Sequence, residues 1–115
     1  MGAGFGGLAA AKALAGSDVP VTLVDLNNYH LFVPLLYQVA AAALSPADIA
    51  EPIRRIVADY PDIDVVMGKV AAIDAETKSV RLTDGEAIAY DRLVVATGST
   101  STYCGHDEWA PMRSR

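Results

Sequence analysis

The chemically informative residues stand at the start of the chain. Gly2-Ala3-Gly4-Phe5-Gly6-Gly7 satisfies the G-x-G-x-x-G spacing, and a run of small, helix-compatible residues follows at once. Such a turn can cradle a pyrophosphate. The first glycine permits the tight turn, Gly4 lets the backbone approach a ligand, and Gly7 lets the helix pack close to its strand. The helix N-terminus adds free N–H groups and the positive end of its dipole. The spacing alone is weak evidence, because glycine-rich helix starts also arise from tight packing. A second residue in register strengthens it. Asp25 ends the next apolar run 25 − 7 = 18 residues beyond Gly7, close to the ~20 at which a carboxylate meets ribose hydroxyls and repels a 2′-phosphate. The competing reading of Asp25 is a strand-end carboxylate that caps a turn. Glycines, helix, strand and acid in one register predict dinucleotide binding.

The elements that must position these residues can be read from the same sequence. Residues 6–15 read as a helix stopped by Gly16, and Val19 to Asp25 as an apolar strand. Leu26 to Tyr29 is an Asn-rich loop, and residues 34–43 form a short helix behind Pro34. Ser45-Pro46-Ala47-Asp48 carries a capping Ser, a Pro at the first helical position and a carboxylate at the third. Pro52 divides that turn from a second helix over Pro52 to Asp59. Beyond Pro61 the period changes to that of strands: Asp64 to Met67, Val70 to Asp74, then Val80 and Leu82 alternating with Ser79 and Arg81. Asp84-Gly85 predicts a hairpin into Ile88 to Tyr90, and Leu93-Val94-Val95-Ala96 reads as a buried strand ending at Thr97-Gly98. The order predicts one α/β unit with a small β-meander. Its motif should follow a strand, and only Met1 precedes it, so the first strand is expected to be largely missing.

Composition narrows the functional classes. The 115 residues carry 9 Lys+Arg against 14 Asp+Glu, a net charge of −5, with 52% apolar residues. That supports a buried core, and the acidic balance argues against a nucleic-acid face. The most apolar stretch, Leu31 to Leu44, is 14 residues long and broken by Pro34 and Gln38, short of the ~20 needed to span a bilayer. Burial against the sheet or a ring accounts for it better than membrane contact. A single cysteine, Cys104, excludes an intrachain disulfide and reads as structural. His30 and His106 lack metal-ligand spacing, so no metal is expected. Tyr29, Phe32 and Tyr37 fit either a ring-binding cavity or an aromatic cluster under a loop. Ser99 to Thr102 offers no nucleophile–base pair.

Longer motifs add a resemblance. Gly2-Ala3-Gly4-Phe5-Gly6-Gly7-Leu8, Val24-Asp25 with Asn27-Asn28-Tyr29-His30-Leu31-Phe32, and Pro34-Leu35-Leu36-Tyr37-Gln38-Val39-Ala40 resemble type II NADH dehydrogenase, the non-proton-pumping NADH:quinone oxidoreductase family. Leu44-Ser45-Pro46 with Ile49-Ala50, Pro52-Ile53-Arg54, Tyr90-Asp91-Arg92-Leu93-Val94-Val95-Ala96-Thr97-Gly98 and Gly105-His106-Asp107-Glu108-Trp109-Ala110-Pro111 continue it. The resemblance implies the Rossmann-like fold of flavoproteins with two dinucleotide-binding units. Residues 1–111 would be an incomplete FAD-binding unit. It further implies that Gly2, Ala3, Gly4, Phe5, Gly6 and Gly7 hold the FAD pyrophosphate. Asp25 and the Leu26 backbone would meet the adenosine ribose, and Val70 the adenine. Ala96, Thr97 and Gly98 would form a second flavin-contacting turn, with Gln38 nearer the flavin ring. The implied chemistry is hydride transfer from NADH to FAD and two-electron reduction of a quinone.

The resemblance also defines what is expected to lie outside this sequence. The NADH-binding glycine motif, the quinone-site segment and the membrane-attaching region would follow Pro111, and residues 112–115 are atypical of the family. Cys104 stands where an aromatic is expected. The full-length protein would be a homodimer attached to the cytoplasmic side of the plasma membrane, and this portion alone would be soluble and inactive. The alternatives are a sulfide:quinone or ferredoxin reductase of the same fold, or a non-catalytic piece with an open sheet edge.

Overall fold

The fold is described from a computed structural model over residues 1–99 and Gly105. Cys104, His106, most of the motif that ends at Pro111 and the 112–115 tail lie outside those residues.

Helix α1 (Phe5–Leu14) is built on the glycine and alanine run, which keeps its inner face flat. Gly4 caps its N-terminus without a side chain, and Gly16, at φ +77°, follows Ala15 at its C-terminal end. Strand β1 (Val21–Asp25) then returns past the helix and pairs in parallel with β4 (Ile63–Met67), Val21 opposite Ile63 and Asp25 opposite Met67. The strand starts two residues later than the apolar run suggests, because Val19 and Pro20 are exposed. Consecutive residues of β1 serve different cores. Leu23 packs with Leu8, Ala11, Ile53, Val57, Ile63 and Val65. Val24 packs on the opposite face with Val80 and Leu82. Burial on both faces is why the consecutive residues Leu23 and Val24 are both apolar, where a half-covered strand would alternate.

Between the parallel strands the chain is more broken than its periodicity predicts. The helix expected over 34–43 is a 3₁₀ turn, Val33–Leu35, followed by α2 (Leu36–Ala40), and Ala42 at φ +56° ends it. Pro46–Asp48 is a 3₁₀ turn whose capping box is complete: the Ser45 hydroxyl accepts from the Ala47 N–H, and the Asp48 carboxylate accepts from the Ser45 N–H at 2.8 Å. The helix expected over 52–59 is shorter too: α3 runs Ile53–Ile56 and then tightens through turns joining Ala58 to Arg55 and Tyr60 to Val57. Its β-branched residues favour helix weakly, and the chain must reverse within a few residues to enter β4. Two strands of three residues each were not legible. They are β2 (Tyr29–Leu31) and β3 (Ala50–Pro52), which pair antiparallel across the apolar excursion.

The meander follows expectation. Strands β5 (Val70–Asp74), β6 (Ser79–Leu82) and β7 (Ala87–Ala89) pair in order, all antiparallel. Val80 and Leu82 are buried and Arg81 is exposed, the period-two pattern of a half-covered strand. Gly85 takes φ +95° in the turn between β6 and β7.

Residues 93–96 correct the sequence reading. They form no regular strand, and Val94 and Val95 are 48% and 58% exposed. Their backbone is bonded to Met1, whose amine donates to the Val94 carbonyl and whose carbonyl accepts from the Ala96 N–H, each at 2.9 Å, while Leu93 packs against the cluster of Val24, Val80 and Leu82. That pair of bonds has the spacing of a parallel bridge. On the other side the Gly2 N–H donates to the Val24 carbonyl at 2.7 Å. Met1 and Gly2 therefore lie between β1 and the 93–96 segment, in the position of a central strand.

Candidate dinucleotide-binding turn

The three motif glycines have different physical reasons. Gly2 sits at φ +92°, where only glycine is unstrained, and a Cβ there would overlap the Ala96 carbonyl. A Cβ at Gly7 would overlap the Gly2 carbonyl and touch the Ala96 side chain at 3.6 Å. The close approach at Gly7 is thus helix against turn, with the 93–96 segment behind. Gly4 is different: nothing lies within 4 Å of where its Cβ would be. Among the described residues no contact requires glycine there.

The turn is held by side chains from two other elements. Asp25, at the end of β1, accepts the Ala3 N–H on Oδ2 at 2.6 Å and the Asn27 N–H on Oδ1 at 2.8 Å. His30, in β2, is hydrogen-bonded through Nδ1 to the Ala3 carbonyl at 3.0 Å. Phe5 meets the His30 ring edge-on at 4.8 Å between centroids and Phe32 at 5.4 Å. The first turn of α1 is uncapped by any side chain. Its first recorded intrahelical bond runs from the Leu8 N–H to the Gly4 carbonyl at 3.0 Å. The N–H groups of Gly4, Phe5, Gly6 and Gly7 have no acceptor among the described residues. Gly4, Phe5 and Gly6 are exposed. Four orphan donors at a helix N-terminus, beside an open space, fit a phosphate-bearing group. Burial pushes the Met1 amine below its ordinary value of 8.0, opposed by the nearby Asp25 carboxylate.

The structure brings together most of the residues singled out from the sequence. Gly2, Gly6 and Gly7 face Ala96, and the Thr97 nitrogen lies 3.1 Å from where a Gly2 Cβ would stand. Gly98 follows at φ +72°. Leu26 is exposed beside Asp25. Val70 packs against the cluster of Val24, Val80 and Leu82, and the Gly68 N–H donates to the Asp25 carbonyl at 2.8 Å, which ties the approach to β5 to the end of β1. Gln38 is not joined to this group among the described residues; its amide donates to the Tyr37 hydroxyl at 2.9 Å. His30 is the residue that sequence reasoning missed. A histidine that binds one backbone carbonyl leaves no spacing signature, and its partner is 27 residues away.

Comparison with known proteins agrees with this geometry. The chain is 47% identical over 113 residues to the type II NADH:quinone oxidoreductase NdhA of Mycobacterium tuberculosis, covering 96% of this chain and 24% of that protein. It is 40% identical to Ndh of the same organism over the same shares. Among solved structures it resembles the sulfide:quinone oxidoreductase of Aquifex aeolicus with a TM-score of 0.80 at 30% identity, covering 89% of this chain and 24% of that one. It also resembles the NADH:rubredoxin oxidoreductase of Clostridium acetobutylicum, with a TM-score of 0.76 at 31% identity, over 88% of this chain and 27% of that one. The chain spans about a quarter of the length of these relatives. The α/β dinucleotide-binding flavoprotein fold expected from the motifs is the one found. Residues 1–110 match the sequence model of the pyridine nucleotide-disulphide oxidoreductases, and the chain belongs to that family.

Proposed function

We propose that this chain is the FAD-binding portion of a type II NADH:quinone oxidoreductase. The observation that carries the cofactor reading is Gly4, a motif glycine that faces open space beside orphan N–H donors. The assignment to quinone chemistry rests on the 47% identity to NdhA. On this reading the N–H groups of Gly4 to Gly7 bind the pyrophosphate, assisted by the dipole of α1. Asp25 has one lone pair left on each oxygen for ribose hydroxyls after its two backbone bonds. By the same reading Val70 would border the adenine, Ala96 to Gly98 would form the flavin-side wall, and Gln38 would serve the ring end. The chemistry supplied by bound flavin is acceptance of hydride from NADH and delivery of two electrons to a quinone. The chain's own contribution is orientation and electrostatics.

The whole enzyme would take NADH in a second unit and meet quinone at the cytoplasmic membrane surface, as a homodimer. Among the described residues no helix is long and apolar enough to cross a membrane. The test is a flavin titration of the purified chain, followed by fluorescence quenching, and NADH:quinone activity of the same sequence within its full-length gene product. Saturable FAD binding with quinone-dependent NADH oxidation is expected; absence of both overturns the reading. The 0.80 TM-score to a sulfide:quinone oxidoreductase favours a second reading, in which sulfide replaces NADH as the reductant. Sulfide-dependent quinone reduction by the full-length protein decides for it.

A further inference from the structure

We propose that His30 is a positioning residue for the glycine turn, fixing the plane of the Ala3–Gly4 peptide so that the Gly4 N–H faces the ligand. The inference rests on the flavin reading above for its purpose, though not for its geometry. The Ala3 carbonyl can only accept, so the His30 contact at 3.0 Å requires a proton on Nδ1. In the neutral ring Nε2 then carries the lone pair. The peptide is trans, so its C=O and N–H point in opposite directions within one plane. Anchoring the oxygen to His30 therefore directs the Gly4 N–H to the opposite side. Gly4 needs such an anchor more than other residues, because without a Cβ its backbone is the most easily reoriented. The preceding peptide is already fixed, with the Ala3 N–H on Asp25 and the Gly2 carbonyl pressed against Gly7. Two side chains from different elements thus clamp Ala3 from both ends, while Phe5 seats the imidazole edge-on.

Two substitutions separate the donor from the ring. His30→Asn keeps an N–H at the position of Nδ1 and removes the aromatic contact; His30→Phe keeps the contact with Phe5 and removes the donor. FAD titration should give His30→Asn within about threefold of the parent and His30→Phe weaker by about tenfold, the worth of one hydrogen bond. Equal losses in both variants, or parent-like binding by His30→Phe, overturn the proposal. The unsubstituted chain supplies a readout free of flavin. ¹⁵N spectra at alkaline pH should show the Nδ1–H tautomer of His30, and a dominant Nε2–H tautomer overturns the clamp whatever the variants do. If the parent binds no FAD but shows the Nδ1–H tautomer, the functional reading fails and the clamp stands.

Discussion

Gly4 and Gly7 look alike in the sequence and differ in physical cause, which makes them separable by a single methyl group. Gly7→Ala drives a Cβ into the Gly2 carbonyl, and backbone cannot yield as a side-chain tip can. The expected loss is about 1–3 kcal/mol or more, read as a lower thermal midpoint of the chain without ligand. Gly4→Ala meets nothing; its stability should stay within about 1 kcal/mol of the parent, the range for changing an N-cap. Its FAD affinity should nonetheless fall by about tenfold or more, if a ligand fills the open space, since that fall corresponds to one misplaced contact. Asp25 allows a second comparison. Asp25→Ala leaves the N–H of Ala3, a residue 3% exposed, without an acceptor, at a cost of about 1–3 kcal/mol. Asp25→Asn retains one acceptor and should lose less. Urea unfolding of the two variants side by side measures the difference.

Among the elements, the β5–β6 hairpin shows how one carboxylate can set a turn. Asp74 Oδ1 accepts from the N–H groups of Glu76 and Thr77 at 3.0 and 2.9 Å, and Lys78 takes φ +48° before β6 begins. The bonds from Thr77 hold the carboxyl below its ordinary value of 3.8. A lowered folded-state value means that the unfolded chain binds the proton more readily. The stabilisation is therefore present above 3.8 and is lost as pH falls through the lower, folded value. Denaturant midpoints should drop on acidification below pH 4 in the parent and less steeply in Asp74→Asn, which keeps an acceptor without the charge; parallel curves would refute the assignment. The meander, the capping box at Ser45 and the α1 stop at Gly16 were all legible, because each depends on residues within a few positions. Strands β2 and β3 were not. Three residues give no measurable period, and their pairing joins Leu31 to Ala50 across the apolar excursion.

Across the whole molecule, two apolar clusters share β1, and the 93–96 segment is attached through Met1. Val94 and Val95 remain about half exposed, as do Phe5, Phe32, Val33 and Leu36, and Tyr37 is more exposed still. Open strand-like backbone beside exposed β-branched residues is a template for pairing with another chain. The 115-residue chain is therefore expected to self-associate at micromolar concentration, and Val95→Lys to shift it toward monomer. Sedimentation velocity checks both, and a parent chain that stays monomeric contradicts the expectation.

What is local or covalently spaced could be read along the chain: the glycine turn, the helix behind it, the carboxylate at the end of β1, the meander and its turns. Those features follow from backbone sterics and short periodicities, which a linear reading can see. Tertiary contacts separate the glycines that answer to packing from the one that faces open space, because that depends on what stands across the gap. The tertiary structure alone placed His30 on the Ala3 carbonyl, a bond between residues 27 apart. It also turned a run that reads as a buried strand into a half-exposed segment, since burial depends on the neighbours that a strand finds and not on its own residues.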